Sequence, residues 1–185
     1  DTPATTTTTT AKPQTTTTTT TAKPAGTTQA PVVGSDVIYC SPAGGGNGTS
    51  MDSPTDVLSA IKSVKAGGTI YLLEGTYKFS EMILIDDSLS GTANGMKTIS
   101  AYPGAKVVFD FSGEGAADPS KRGITLDGDY WHFYGFEITK AADNGMLLSG
   151  NNNKIEMMVF NDNQDTGLQI SRYNTSAATI ADWPT

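Results

Sequence analysis

The sequence predicts an all-β fold, a parallel β-helix with coils of about 22 residues behind an N-terminal capping α-helix. Three segments carry this prediction, because "GITL" at 123–126, "GMLL" at 145–148 and "GLQI" at 167–170 start 22 residues apart. In addition, "HFYGFEI" at 132–138 lies 22 residues before "KIEMMVF" at 154–160. Short strands separated by Gly, Asn and Asp turns at this period are typical of such a solenoid. The L-x-x-L-x-L pattern of a leucine-rich repeat is missing.

The first 35 residues predict a disordered Thr/Pro-rich linker. Residues 1–30 contain sixteen Thr, and "TTTTTTAKP" occurs twice. Such a tract cannot bury enough apolar surface to offset the entropy lost on ordering. It is expected to be a spacer between modules, either bare or O-glycosylated in a secreted multimodular protein. Residues 36–185 are expected to form the cap and first coils of one β-helix domain, incomplete at the C-terminus.

Charge and cysteine content exclude several classes of partner and site. From Asp36 onward the chain has 18 acidic and 10 basic residues, a balance of about −8. Nucleic acid is not an expected partner, because no basic patch forms, and no run is long and apolar enough to span a membrane. Cys40 is the only cysteine, so no disulfide can form within the chain. Because it follows the apolar run "VIY", Cys40 is expected to be a small buried core residue.

A strand and a helix are predicted before the repeats. Val37–Cys40 predicts the strand, and 44–48 predicts a flexible loop that lacks the Lys-Ser/Thr of a phosphate-binding loop. The helix is expected to start with Ser53 as N-cap and Pro54 at its first position. Its apolar stripe is Val57, Ile61 and Val64, and its end is marked by Gly67 and Gly68. We expect this amphipathic helix to cover the end of the solenoid.

Short strands rich in β-branched and aromatic residues follow Gly68. They are "TIYLLEGTYKF", "MILID" and "KTISAYPGAKVVFDF", separated by turn residues. The polar segment "DFSGEGAADPSKRG" at 110–123 is expected to be a loop. In the repeats, two ladders are expected inside the tube: Ile124, Met146 and Leu168 at one level, and Leu126, Leu148 and Ile170 at another. The three asparagines at 151–153 are interpreted as a corner rather than a ligand cluster.

Two quoted segments carry a resemblance to a known family. "VIYCSPAGGGNGTSMDSPTDVLSAIKSVKAGGTIYLLEGTY" resembles the N-terminal segment of secreted right-handed parallel β-helix proteins. "YWHFYGFEITKAADNGMLLSGNNNKIEMMVFNDNQDTGLQISR" is similar to the coils of family-nine polysaccharide lyases, which are pectate lyases. The resemblance runs from about Val37 to Arg172. It implies a right-handed β-helix, a secreted protein, and an anionic polysaccharide, polygalacturonate or pectin, as the partner of a monomer joined to other modules through the Thr-rich linker.

The resemblance also implies β-elimination on polygalacturonate. In this family a Lys removes the C5 proton, while Ca²⁺ held by several Asp binds the neighbouring carboxylate and stabilises the developing charge. Those residues lie C-terminal to the "TGLQISR" element, and the chain ends at Thr185 without a matching Asp cluster. No catalytic or metal residue is therefore assigned here. Ca²⁺ is expected for the full-length enzyme with ligands outside this chain, and the fragment alone is expected to be inactive.

Five features within the chain are candidates for a site. Arg172 is the candidate for binding a uronate carboxylate, with an exposed corner as the alternative. Lys140 and Asp143 are expected to form a solvated ion pair. His132, the only histidine, aligns with Lys154 and is expected to face outward.

The remaining two candidates are clusters. Asp162, Asn163 and Asp165 form an acidic turn that either binds a cation or makes a corner. Tyr130, Trp131 and Tyr134 either stack on sugar or follow an in–out strand pattern.

Three functions remain open at this point. The first is the N-terminal part of a secreted pectate lyase. The second is another β-helix lyase or hydrolase acting on alginate, glycosaminoglycan or pectin. The third is a non-catalytic β-helix used as a cell-surface stalk or adhesin, which the Thr-rich spacer fits equally well. An Asp cluster followed by a Lys further along the gene would favour the lyase, and uniform repeats without charged clusters would favour the stalk.

Overall fold

The computed structural model describes residues 36–171, which wind through three parallel sheets in turn. Sheet A consists of β1 (Val37–Cys40), β2 (Thr69–Leu72), β5 (Lys97–Ala101), β8 (Trp131–Tyr134) and β11 (Lys154–Glu156). Sheet B consists of β3 (Gly75–Lys78), β6 (Val107–Asp110), β9 (Glu137–Thr139) and β12 (Val159–Asn161). Sheet C consists of β4 (Ile83–Ile85), β7 (Ile124–Leu126), β10 (Met146–Leu148) and β13 (Leu168–Ile170). One α-helix, α1 (Val57–Ser63), and two short 3-10 helices, Asp87–Leu89 and Ser112–Glu114, complete the described elements.

Every strand pairs in parallel with the strand of the same sheet in the neighbouring coil, which confirms the predicted right-handed β-helix. The predicted ladders are also confirmed, because Met146 pairs with both Ile124 and Leu168. Lys154 pairs with His132, as the sequence alignment of the two coils predicts.

The 22-residue period holds only for the last coils. Gly75 pairs with Val107 and Ile83 pairs with Ile124, which are 32 and 41 residues apart. The additional residues lie in excursions between the sheets, such as 86–96 and 111–123, while the strands remain in register. Loop length therefore varies from coil to coil, and the pairing of the strands does not.

Apolar ladders fill the interior of the solenoid. In sheet A, Ile70 pairs with Ile99, which pairs with Phe133, and all three are completely buried. The ring centroid of Phe109 in sheet B lies 4.7 Å from that of Phe136, which stands at the corner between β8 and β9. Burial of side chains of this size stabilises the fold by roughly 1.5–3 kcal/mol each. Stacking of apolar residues on successive coils thus contributes to the stability of the core.

Glycines form a stack at the corner that leads into sheet C. A Cβ on Gly123 would lie 2.6 Å from the carbonyl oxygen of Gly145, and one on Gly145 would lie 2.7 Å from that of Gly167. Each coil approaches the next too closely here for any side chain. This close approach explains why a glycine recurs at this position every 22 residues.

Helix α1 covers the N-terminal end of the solenoid, and its start differs from the prediction. Asp56, not Ser53, is the N-cap, because its carboxylate accepts a hydrogen bond from the Ser59 amide at 2.9 Å. Val57, Ala60 and Ile61 are buried against the solenoid. The helix ends at Ser63, before Gly67, and its C-cap is Val64.

The backbone around Ser53 has a different partner. Gly46 and Gly48 donate to the carbonyl oxygens of Pro54 and Ser53, each at 2.8 Å, and Thr55 donates to Tyr39. The segment 53–55 is therefore held as an extended layer beside β1, and the helix can start only after it. The glycine loop at 44–48, predicted to be flexible, is fastened by the same hydrogen bonds. Cys40 is fully buried, as predicted, and burial raises the pKa of its thiol to about 12.

Candidate functional site

The outer face of sheet C is bordered on one side by the corners that precede its strands. Arg122, Asn144 and Thr166 occupy equivalent places in successive coils, because each stands immediately before one of the corner glycines. The middle residues of β7 and β10, Thr125 and Leu147, alternate with the core ladders and point away from the interior. Polar side chains at these corners therefore flank an outer sheet surface formed by Leu84, Thr125, Leu147 and Gln169.

Asn144 ties its corner to the next coil. Its Oδ1 accepts from the Thr166 amide at 3.1 Å, and its Nδ2 donates to Gln169 Oε1 at 2.7 Å. The residue is buried, and all of these partners belong to the protein. Asn144 is therefore a structural residue of the corner, with no free group for a ligand.

Arg122 occupies the same place one coil earlier and is held differently. Its Nε lies 3.7 Å from Asp143 Oδ2, too far for a hydrogen bond, and Nε itself is buried without a partner. The side chains of Arg122 and Asp143 are 27% and 14% exposed. No other residue within 36–171 forms an ion pair with this guanidinium, which belongs to the only arginine in that range.

Glu114 anchors the excursion that leads to Arg122. The side chain is only 5% exposed, its Oε2 accepts from the Ala142 amide at 2.9 Å, and its Oε1 is buried without a partner. Burial raises the pKa of this carboxyl above its usual value. Lys121 Nζ donates to the Glu114 carbonyl oxygen at 3.0 Å. The segment predicted to be a plain polar loop thus contains a 3-10 helix and a buried carboxylate, and Lys121 is hydrogen-bonded to this helix.

On the opposite border of sheet C, the acidic side chains serve coil-to-coil contacts. Asp127 accepts a hydrogen bond from Ser149, and Asp129 accepts one from the Asn151 amide. Asn153 accepts from the Trp131 amide at 2.7 Å and donates to the Gly128 carbonyl oxygen at 2.9 Å. The three asparagines at 151–153 therefore form a corner, as predicted.

The candidates taken from the sequence have mixed outcomes. Arg172 lies outside the described residues, so its role stays a prediction. The predicted ion pair of Lys140 with Asp143 is wrong, because Asp143 faces Arg122 instead. Lys140 is an exposed residue with φ of 60° at the corner after β9.

His132 and the aromatic run are tied into the wall of the solenoid. His132 points away from the core ladder, as predicted, yet it is buried by its neighbours, and its Nε2 lies 3.0 Å from Glu156 Oε2. Trp131 is completely buried, and its indole donates to the Leu89 carbonyl oxygen at 3.1 Å. Stacking of Trp131 on sugar is therefore excluded, while Tyr130 and Tyr134 are partly exposed.

The acidic turn at 162–165 forms a corner. Asn163 Oδ1 accepts from the Ala141 amide at 3.0 Å, and the Asp165 amide donates to the Asp143 carbonyl oxygen. Within residues 36–171, no group of three or more His, Cys, Asp or Glu could hold a metal ion. The described residues therefore do not fit a Ca²⁺ site. No helix among these residues has the length and apolar character needed to cross a membrane.

The repeat pattern of the sequence does not single out Arg122 or Glu114 as candidate site residues. Both lie in or beside an excursion that has no counterpart in the next coil, where the chain passes directly from sheet B to sheet C. A basic pair directly before a repeat glycine, "KRG" at 121–123, is the one local feature that marks the place.

Comparisons with known proteins agree with this architecture. Residues 38–182 match the family model described as the Pel9A-like, right handed beta helix region. The chain is 41% identical over 151 residues to Pectate lyase L of Thermoclostridium stercorarium, covering 80% of this chain and 12% of that protein. It is 40% identical over 126 residues to Pectate lyase L of Paenibacillus polymyxa, covering 68% of this chain and 28% of that protein.

A solved structure gives the same result for the fold. The crystal structure of pectate lyase Pel9A superposes with a TM-score of 0.69 at 29% identity, over 75% of this chain and 36% of that one. The chain thus spans less than a third of the length of the two relatives and about a third of the solved structure.

Proposed function

Because this chain belongs to the family of Pel9A-like right-handed β-helix proteins, we propose that it forms the N-terminal coils of a secreted pectate lyase. Its substrate is polygalacturonate, cleaved by β-elimination with the assistance of Ca²⁺. The observation that carries this proposal is the likeness to pectate lyase Pel9A, at a TM-score of 0.69 and 29% identity. The two Pectate lyase L relatives, at 41% and 40% identity, support it independently.

The proposal assigns the chemistry to residues other than 36–171. Those residues do not fit a Ca²⁺ site, and most of each relative has no counterpart in this chain. When bound elsewhere in the enzyme, Ca²⁺ would neutralise the substrate carboxylate beside the acidic C5 proton. The role of this chain is structural support: α1 closes one end of the solenoid, and the core ladders set the register of the coils.

The last described coil fits this supporting role. Ile170 continues the ladder of Leu126 and Leu148 and is 73% exposed, because no described coil covers β13. The backbone groups along the strands of this coil have the spacing that a further parallel strand needs. A following coil can therefore continue all three sheets in register.

The test compares the 185-residue chain with the full product of the gene that encodes it. Both are incubated with polygalacturonate, and the unsaturated uronate product is followed by its ultraviolet absorbance, with and without a Ca²⁺ chelator. We expect chelator-sensitive product from the full gene product and none from the chain alone. Calorimetric titration of Ca²⁺ into the chain should give no saturable heat.

Each contrary result has a clear meaning. Unsaturated product from the 185-residue chain alone would contradict the assignment of the chemistry to other residues. Binding of polygalacturonate without cleavage by the full product would favour a stalk or adhesin. Cleavage without unsaturated product would indicate a hydrolase.

A further inference from the structure

We propose that Arg122 binds a galacturonate carboxylate at the border of sheet C, with Asp143 facing the opposite, Nε edge of its guanidinium. The inference rests on the proposed function, because pectate is the carboxylate polymer that the relatives' names identify. It adds a binding residue within the first coils, separate from the chemistry assigned to the rest of the enzyme.

The position of the guanidinium is the first argument. Nε faces inward, buried and 3.7 Å from Asp143 Oδ2, while 27% of the side chain remains exposed. Because Nε is the buried part, the exposed part includes the terminal Nη groups, and no residue within 36–171 pairs with them. With its Nε edge turned toward Asp143, the planar guanidinium offers its other edge to a carboxylate in bidentate geometry.

The rigidity of the surroundings is the second argument. Glu114 fastens the excursion to Ala142 through its buried Oε2, and Lys121 Nζ is fixed on the Glu114 carbonyl oxygen. On the other side of Arg122, the Gly123 amide donates to the Asn144 carbonyl oxygen of the next coil at 3.0 Å. Arg122 therefore stands on a backbone fixed from both sides, which lowers the entropic cost of binding.

The distribution of charge is the third argument. Residues 36–171 carry 17 acidic and 9 basic side chains, so most of the surface repels a polyuronate. Lys121 and Arg122 contribute two positive charges beside sheet C, with Asp143 facing Arg122 and with Glu114 and Asp118 near Lys121. On the far border, Asp127 and Asp129 are acidic. A uronate lying across the sheet would therefore turn its carboxylate toward Arg122.

The equivalent corners support a ligand role over a structural one. Asn144, one coil later, satisfies its side chain entirely with protein groups, whereas Arg122 makes no hydrogen bond to the next coil within the described residues. A residue that only stabilised the corner would be expected to make contacts like those of Asn144. The Nη groups of Arg122, unlike the amide of Asn144, are therefore left available to a partner that arrives from solvent.

The experiment measures binding of short oligogalacturonates to the 185-residue chain by calorimetry at low ionic strength. Arg122→Gln should weaken binding about 10-fold to 100-fold, since a charge-assisted pair is lost, and Arg122→Lys should recover part of it. The matched control is Lys106→Gln, which removes the same charge from an exposed turn between sheets A and B and should change affinity less than about twofold. Circular dichroism and thermal unfolding verify that each variant is folded.

Two further ligands distinguish the contribution of the carboxylate charge from that of the sugar. Methyl-esterified oligogalacturonate keeps the sugar ring without the charge and should bind poorly to the wild-type chain. Oligomannuronate carries the charge on a different sugar and should bind more weakly than oligogalacturonate.

Several results would overturn the inference. These are equal losses for Arg122→Gln and Lys106→Gln, equal affinity for the methyl ester, stronger binding of oligomannuronate, or no binding by the wild-type chain. In the full gene product, Arg122→Gln should raise KM for polygalacturonate with kcat unchanged. A full gene product that lacks lyase activity would defeat the proposed function, while the binding measurements on the chain would still decide the role of Arg122.

Discussion

His132 and Glu114 are titratable side chains that the winding of the chain removes from solvent. His132 lies on β8 between neighbouring strands, and Glu156 and Lys154 of the next coil meet at its imidazole. Desolvation, followed by the charge of Lys154, holds the pKa of His132 below its usual value, although the hydrogen bond to Glu156 opposes the shift. Folding therefore favours the neutral imidazole.

This preference predicts a loss of stability on mild acidification. Because the pKa of His132 is lower in the folded state, its contribution is fully present above about pH 6.5 and is lost as the pH falls below that value. Between about pH 7 and pH 5, the free energy of unfolding of His132→Gln should fall less steeply than that of the wild-type chain. The difference between the two slopes corresponds to at most one proton taken up on unfolding. Urea unfolding at several pH values measures both slopes.

The carboxylates are common to both proteins, and Glu114, whose raised pKa acts in the opposite direction, is unchanged in His132→Gln. Hydrogen bonds from Ser59 and Ser88 lower the pKa of Asp56 and of Asp86, so both titrate at more acidic pH and leave the window unaffected. Identical slopes for the wild-type chain and His132→Gln would show that the imidazole does not contribute to the pH dependence of stability.

Glu114 predicts a different mutational pattern. Glu114→Ala removes the acceptor of the buried Ala142 amide, so the free energy of unfolding should fall by about 1–3 kcal/mol. Glu114→Gln keeps an oxygen at that place and removes a carboxyl whose pKa burial raises, so stability at neutral pH should be unchanged or higher. Because a raised pKa favours folding as the pH falls, the glutamine variant should also lose this gain at acidic pH.

Urea denaturation at about pH 7 compares the two substitutions directly. If Glu114→Gln destabilised the chain as much as Glu114→Ala, the negative charge itself would be required at this place. That result would point to the interaction of Glu114 with Lys121 as the dominant contribution.

At the scale of elements, the start of α1 is decided by a single carboxylate. Asp56→Ala should lower the free energy of unfolding by about 1 kcal/mol, because the Ser59 amide loses its acceptor. Ser53→Ala should have a smaller effect, because Ser53 Oγ accepts only an exposed 3.3 Å hydrogen bond from Asn47. Asp56→Asn, which keeps an acceptor, serves as the conservative control. Thermal unfolding of the three variants tests the order, and a larger loss for Ser53→Ala would contradict it.

The excursions are the elements that distinguish one coil from another. In the first coils they add residues between sheets, and in the last they shrink to short corners such as 140–145. The binding residue proposed above stands at the end of the longest described path between two paired strands of sheet C, from Ile83 to Ile124. Variation among coils therefore places individual side chains on an otherwise repeating surface.

At the scale of the molecule, each coil contacts mainly its neighbours, so stability should vary along the axis. Amides in β11, β12 and β13 should exchange with solvent faster than those in β5 and β8, because the last described coil is covered on one side only. Native-state hydrogen exchange followed by NMR measures this gradient. Uniform protection along all strands of sheet A would indicate that the solenoid opens as one unit.

The repeating part of this architecture could be predicted from the sequence because the residues that determine it recur at a fixed spacing. Glycine is required wherever one coil touches the next, and the apolar ladders require an apolar residue at the same place, so Gly145 and Met146 repeat Gly123 and Ile124. The first coils lack this signal, since their excursions differ in length and hide the common register of β3 and β6.

Single side chains outside the repeat could not be predicted for a different reason. Glu114 is an ordinary residue of a polar segment until the fold brings Ala142 beside it. The partnership of Arg122 with Asp143 likewise arises only when two coils stack, and the sequence pairs Asp143 with Lys140 just as readily. Ser53 has the sequence features of a helix N-cap, and only the backbone hydrogen bonds at 46–48 exclude it.

The strands keep their register although the coils differ in length. This has a practical consequence for inserting a foreign peptide into this protein. The connection between β6 and β7 leaves at Asp110 and returns at Ile124. Gly115, Ala116 and Ala117 are exposed along it. A passenger peptide placed after Ala116 would leave every ladder intact. The same peptide at Gly135 would displace the buried Phe136 at the corner that joins β8 to β9.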